Sequence, residues 1–224
     1  MDLKNKVVLI TGSSLGIGKE TAFKFAKEGC KIIITYYKDK TEGLEVSKKC
    51  LDLGASEVLV LQLNVMENES IKDCVKKVID KFKKIDILIN NAGIIAWKRL
   101  KEQSFKDIEE QIRTNLEGLI KMTKECLPHV RETIINIASG AGLEGYGGLS
   151  TYCATKFGVR GFTQSISHEL HGLKVFAVNP GTTATRMNNF RGYPPEKIAE
   201  IILNTVKGKY KAKSGSDINV WELV

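Results

Sequence analysis

The chain has 224 residues, 42% hydrophobic and 27% charged, the balance of a globular protein with room for one well-buried α/β domain and too little for two. No run of eighteen apolar residues occurs, which argues against a transmembrane helix, and the polar start Met1-Asp2-Leu3-Lys4 leaves no room for a signal peptide, so a cytoplasmic protein is expected. The formal charge of +8 raises nucleic acid as a partner, but the lysines are mixed with Glu and Asp along helices, as at Lys76, Lys77, Lys81, Lys83 and Lys84, the pattern of a solvated face; neither a nucleic acid nor a membrane is expected.

Lys6 to Ile10 is a short apolar run rich in β-branched residues, the signature of a strand buried on both faces. It leads into Thr11-Gly12-Ser13-Ser14-Leu15-Gly16-Ile17-Gly18, and then into helical periodicity from Lys19 to Glu28 that stops at Gly29. A glycine-rich turn between a strand and a helix is the setting of a phosphate site: backbone comes close to a pyrophosphate, and the helix N-terminus offers unpaired N–H groups and the positive end of its dipole. The second strand, Lys31 to Tyr36, ends where an adenosine ribose would lie. No acid stands at positions 35–38 to bind a 2′-hydroxyl, whereas Lys38 can pair with a 2′-phosphate, so NADP(H) is favoured with NAD(H) as the alternative.

The strand–helix rhythm continues. Helices are expected over about 41–53 and 68–82, a long one over 104–126, one over 150–171 and one from Pro195; strands are expected at Glu57–Leu63, Asp86–Asn90, Thr133–Ala138, Lys174–Val178 and near Ile218–Trp221. Apolar strands alternating with helices predict an α/β doubly wound (Rossmann) sheet of about seven parallel strands with helices on both faces, as a single domain over 1–224. Cys30, Cys50, Cys74, Cys126 and Cys153 are scattered without a Cys-x-x-Cys pair, and His129, His168 and His171 lack ligand spacing, so free thiols and no metal are expected. Cys153 adjoins Tyr152 and reads more simply as a packed spectator than as a reactive thiol.

Tyr152 and Lys156 stand four apart in the expected 150–171 helix, hence on one face, one turn from each other. A free phenol is a poor base at neutral pH; a neighbouring ammonium favours the phenolate and makes tyrosine a usable acid or base. Tyr-x-x-x-Lys alone is weak. Here it accompanies Thr11-Gly12-x-x-x-Gly16-x-Gly18, Asn90-Asn91-Ala92-Gly93, Asn115, Ser139 and Pro180-Gly181-x-Thr183-x-Thr185, in that order along the chain. With this set the sequence resembles the short-chain dehydrogenase/reductase family, and within it 3-oxoacyl-carrier-protein reductases and glucose dehydrogenases.

The resemblance implies a catalytic set of Asn115, Ser139, Tyr152 and Lys156. Tyr152 would exchange the proton, Lys156 would lower its pKa and hold the nicotinamide ribose, Ser139 would orient the substrate oxygen, and Asn115 would bind a water linking Lys156 to solvent. It also implies cofactor contacts from Gly12, Ser14, Leu15, Gly16, Ile17, Gly18, Lys38, Asn64, Val65, Asn91, Ala92, Gly93, Tyr152, Lys156, Pro180, Gly181, Thr183 and Thr185. Asn64 replaces the family's usual aspartate against the adenine, and its amide oxygen can accept the same bond. Leu15 leaves the glycine turn without a basic residue. The lid from Met187 to Tyr193 is short, which suggests an open site.

The expected activity is hydride transfer between NADP(H) and a ketone or secondary alcohol, with a 3-oxoacyl thioester as one candidate substrate and a sugar or polyol as the rival. A non-enzymatic NADP(H) sensor is the reading from another class, and the joint presence of Ser139, Tyr152 and Lys156 speaks against it. By resemblance the chain forms a homodimer or homotetramer through its long helix and the Tyr152 helix.

Overall fold

The computed structural model describes residues 2–224; Met1 lies outside them. Seven strands, β1 (Val7–Ile10), β2 (Lys31–Tyr36), β3 (Glu57–Gln62), β4 (Ile85–Asn90), β5 (Val130–Ile137), β6 (Lys174–Asn179) and β7 (Asp217–Asn219), form one sheet in the order β3-β2-β1-β4-β5-β6-β7. Every pairing is parallel, from Val7 opposite Lys31 to Asn179 opposite Asn219. Alternate residues of each apolar run serve opposite faces. Val8, Ile10, Ile32 and Ile34 pack under α1 (Gly16–Lys27), α2 (Lys40–Asp52) and α7 (Pro195–Val206), with Phe25, Val46 and Ile202. Val7, Leu9 and Ile33 pack under α3 (Asn68–Phe82), α5 (Gly118–Cys126) and α6 (Ser150–Glu169), with Val78, Met122 and Ile166. A sheet covered on both sides needs apolar residues at every strand position, which is why no polar alternation was visible.

Sheet order reverses between β1 and β4, and the crevice beyond their C-terminal ends is where such folds bind ligands. Three expectations change. The long helix is interrupted: α4 (Phe105–Ile112) passes into a π-helical turn, Arg113–Glu117, before α5 resumes the α-helical pattern. The first helix begins at Gly16, inside the glycine-rich segment, and not at Lys19. The last strand ends at Asn219, because Val220–Glu222 tightens into a 3₁₀ turn. Gly29 does follow the first helix with φ +72°, the left-handed stop that its position suggested.

Candidate active site

The glycine turn and the segment after β4 are joined across the crevice. Thr11 Oγ1 accepts from the N–H groups of Asn91 and Ala92 at 2.9 and 3.0 Å, and Asn91 Nδ2 donates to the carbonyls of Thr11 and Gly12 at 2.9 and 3.0 Å. Gly18 makes this approach possible, since a Cβ there would lie 2.5 Å from both Asn91 Nδ2 and Gly12 O. Helix α1, whose N-cap residue is Leu15, has no side-chain cap and no acid in its first turn. Its orphan N–H groups face the crevice and suit an anionic ligand, so the turn fits a pyrophosphate.

At the adenosine end the wall is Tyr36, Tyr37, Lys38, Leu63, Asn64 and Val65. Asp39, the nearest acid, is engaged as the N-cap of α2, accepting from Thr41 N and Glu42 N at 2.8 and 3.3 Å. Lys38 Nζ lies 5.1 Å from the Tyr37 ring centroid. Asn64 lines this wall; its Oδ1 accepts from Met66 N at 3.1 Å and its Nδ2 donates to Glu67 at 2.7 Å, and the second lone pair of Oδ1 leaves it able to accept another bond.

Ser139 ends the β5 segment and caps a short turn, its Oγ accepting from Ala141 N at 3.1 Å. Burial pushes the Tyr152 phenol up to about 12, against a hydrogen bond with Ser139 that lowers it. Lys156 Nζ donates to Ile137 O at 2.8 Å, lies 5.6 Å from the Tyr152 ring centroid, and is held down to about 8 by burial. Lys156 is not among the causes of the phenol's shift, which are burial, the Ser139 hydrogen bond and the neighbouring Cys153.

Asn115 lies behind this pair. Fully buried in the π turn, it accepts from Ile94 N at 2.8 Å and donates to Ile94 O at 2.8 Å and Thr155 Oγ1 at 3.2 Å. Its amide fixes the chain after Gly93, where a Cβ would meet Asn115 Oδ1 at 3.4 Å and Lys156 Nζ at 3.8 Å.

Beyond β6, Pro180–Thr185 enters a compact lid. Thr183 pairs with Tyr193, and Gly192 is required there, with φ +109° and only 2.1 Å between a would-be Cβ and Thr182 O. The lid is short, as expected, but it is tied down. Trp97 Nε1 donates to Met187 O at 3.2 Å, Arg186 pairs with Glu42 at 2.6 Å, and the Thr185 methyl sits 3.2 Å from where a Gly16 Cβ would be. The cavity below, about 1170 Å³, is lined by every site residue anticipated from sequence except Gly18 and Asn115, which act from behind its wall.

Several contributors were missed or, like Asn90, read only as part of a motif. Arg160 binds Asp217 through two nitrogens at 2.8 and 2.6 Å and Gly142 O at 2.6 Å, holding the Ser139 turn against α6 and β7. Asn90 and Asn136 bond to each other at 2.9 Å and to Thr123 and Thr163, each at 2.9 Å, bracing the ends of β4 and β5. The signal was present: Asn90, Asn136 and Asn179 interrupt otherwise apolar runs at three successive strand ends.

A family model described as short chain dehydrogenase matches residues 6–193. The chain belongs to that family. This short-chain dehydrogenase is accordingly an NAD(P)-dependent oxidoreductase acting between alcohols and ketones. It is 38% identical over 191 residues to a 3-oxoacyl-(acyl-carrier-protein) reductase of Synechocystis sp., covering 83% of this chain and 77% of the relative. With a 3-oxoacyl-(acyl-carrier-protein) reductase of Thermotoga maritima it shares 35% identity over 219 residues, 92% and 84% of the two chains. The crystal structure of a short chain dehydrogenase from Burkholderia cenocepacia in complex with NADP matches with a TM-score of 0.90 at 26% identity, covering 98% of this chain and 97% of that one.

Proposed function

We propose that the protein reduces an apolar ketone with NADPH, in the manner of a 3-oxoacyl thioester reductase. The observation that carries the substrate class is the wall around Ser139 and Tyr152: Ile95, Trp97, Ala141, Tyr146, Leu149 and Met187 bear no charge. A sugar or polyol, the rival substrate, needs several polar partners on leaving water, and this wall offers few. Lys38, with Asp39 engaged elsewhere, supports the 2′-phosphate cofactor, as does the NADP complex of the Burkholderia relative.

The bound cofactor supplies the hydride. Ser139 Oγ and the Tyr152 phenol orient the substrate oxygen together. Tyr152, held protonated, gives its proton to that oxygen as negative charge develops there. Lys156, with its proton loosely held, offsets the phenolate charge that remains. Gly12–Gly18 and the α1 N-terminus would hold the phosphates, and Thr183 and Thr185 the nicotinamide end. Tyr152→Phe is expected to lower kcat roughly 10²–10⁴-fold while NADPH affinity, read by fluorescence titration, changes little. Undiminished turnover in that variant refutes the assignment. Reduction of a polyol-derived ketone in preference to a 3-oxoacyl thioester or an aryl ketone refutes the substrate class.

We also propose that copies associate through α4 and α6. Leu119 is core and Leu116 and Phe162 pack against it, but Phe105 is 93% exposed and Ile112 and Phe157 are about two-fifths exposed.

A further inference from the structure

Arg186 is the one lid residue whose charged group reaches back over the adenosine end of the cleft. Arg186 lines the cavity, and its guanidinium pairs at 2.6 Å with Glu42, in the first turn of α2 and four residues beyond Lys38. Lys38 makes no ion pair among the described residues; its recorded neighbour is the Tyr37 ring. The glycine turn contributes no cation of its own at Leu15. A 2′-phosphate carries close to two negative charges, more than one ammonium neutralises.

We infer that Arg186 is a specificity-determining residue that supplies the second cation for a cofactor 2′-phosphate, exchanging Glu42 for the phosphate and drawing the lid with it. The inference rests on the NADP(H) reading above. The exchange is physically easy. The Arg186 side chain is 65% exposed and Glu42's 20%, so water reaches the guanidinium as it leaves the carboxylate and screens part of their attraction. A phosphate offers the guanidinium more charge and room for two parallel N–H···O bonds, where Glu42 accepts one through Oε1. Because Arg186 directly follows Thr185 and precedes Met187, which is bonded to Trp97, its movement is transmitted to the segment over the reacting centre. Recognition of a phosphate at one end of the cofactor thereby orders the wall at the other.

The test is fluorescence titration of NADPH and NADH with the wild type, Arg186→Gln, Glu42→Gln and the double variant. We expect Arg186→Gln to weaken NADPH at least tenfold and NADH less than threefold. Glu42→Gln, which releases the guanidinium, should tighten NADPH several-fold and leave NADH unchanged. The double variant should be as weak toward NADPH as Arg186→Gln. A wild-type NADPH-to-NADH ratio in Arg186→Gln overturns the inference. So does a double variant that regains wild-type affinity, for Arg186 would then serve only to neutralise Glu42. A wild type without preference for NADPH fails earlier, before any variant is compared, and removes the cofactor reading along with the inference.

Discussion

Replacing Gly18 with alanine probes the contact on which the phosphate turn depends. The added Cβ would lie 2.5 Å from Asn91 Nδ2, 2.5 Å from Gly12 O and 2.9 Å from Ser13 Cα, two of which are backbone atoms that cannot swing aside. Helix α1 must shift, and Asn91 must give up its bonds to the Thr11 and Gly12 carbonyls. Each such bond is worth about 1 kcal/mol, and overpacking a close contact costs about 1–3 kcal/mol more. Alanine returns about 1 kcal/mol through helix propensity. The net expectation is a loss of about 2–4 kcal/mol, or roughly 1–2 M in the urea midpoint at ordinary slopes, together with weakened binding of either nicotinamide cofactor. Gly145→Ala is the control: nothing lies within 4 Å of its would-be Cβ and its φ is not left-handed, so it should stabilise by about 0.4–1 kcal/mol through the unfolded chain. A Gly18→Ala protein within about 0.5 kcal/mol of wild type would refute the close-approach argument.

Lys156→Met tests the desolvated ammonium. An unfolded lysine keeps, up to its ordinary 10.5, the proton that the folded one sheds above about 8, so wild-type stability gains with pH across that window and the burial penalty is complete below it. The wild type should therefore gain on Lys156→Met by up to about 3 kcal/mol between pH 7.5 and 10.5 in urea melts; the buried thiols of both proteins cancel, and a constant gap contradicts the assignment. Trp97→Phe removes the bond to Met187 O; tryptic cleavage after Arg186 or Arg191 should speed up about fivefold, as loss of roughly 1 kcal/mol requires, and an unchanged rate means the bond does not restrain the lid. Phe157→Glu should reduce the mass seen by light scattering to that of one chain, and an unaltered oligomer would exclude the α6 face.

The parallel, doubly wound sheet was legible because apolar β-branched runs alternating with helices leave few alternatives, and α3 was bounded correctly at 68–82 because its apolar stripe is strong. The proposed catalytic quartet was legible as a pattern of types and spacings, but its surroundings were not. Asn115 bonds to the Ile94 backbone 21 residues away, and burial raises the Tyr152 phenol. Spacing encodes neither the burial nor the distant partner. The same holds for Arg160 and Arg186, whose partners Asp217 and Glu42 are 57 and 144 residues distant.

The π turn at Arg113–Glu117 bears on how this sequence can drift over time. Such a turn holds one residue more than the α-helix around it, and Gln111 on one side and Asn115 within it together grip Ala96 N and Ile94. Substitutions elsewhere on the helix surface leave that grip alone. Loss of a single codon within the turn would let the helix close into a continuous α form with α4 and α5 still in phase, but would shift or remove Asn115, whereas a codon lost elsewhere in the helix would turn one part against the other by about 100°. The register of the 105–126 helix is thereby fixed to the residue at Asn115.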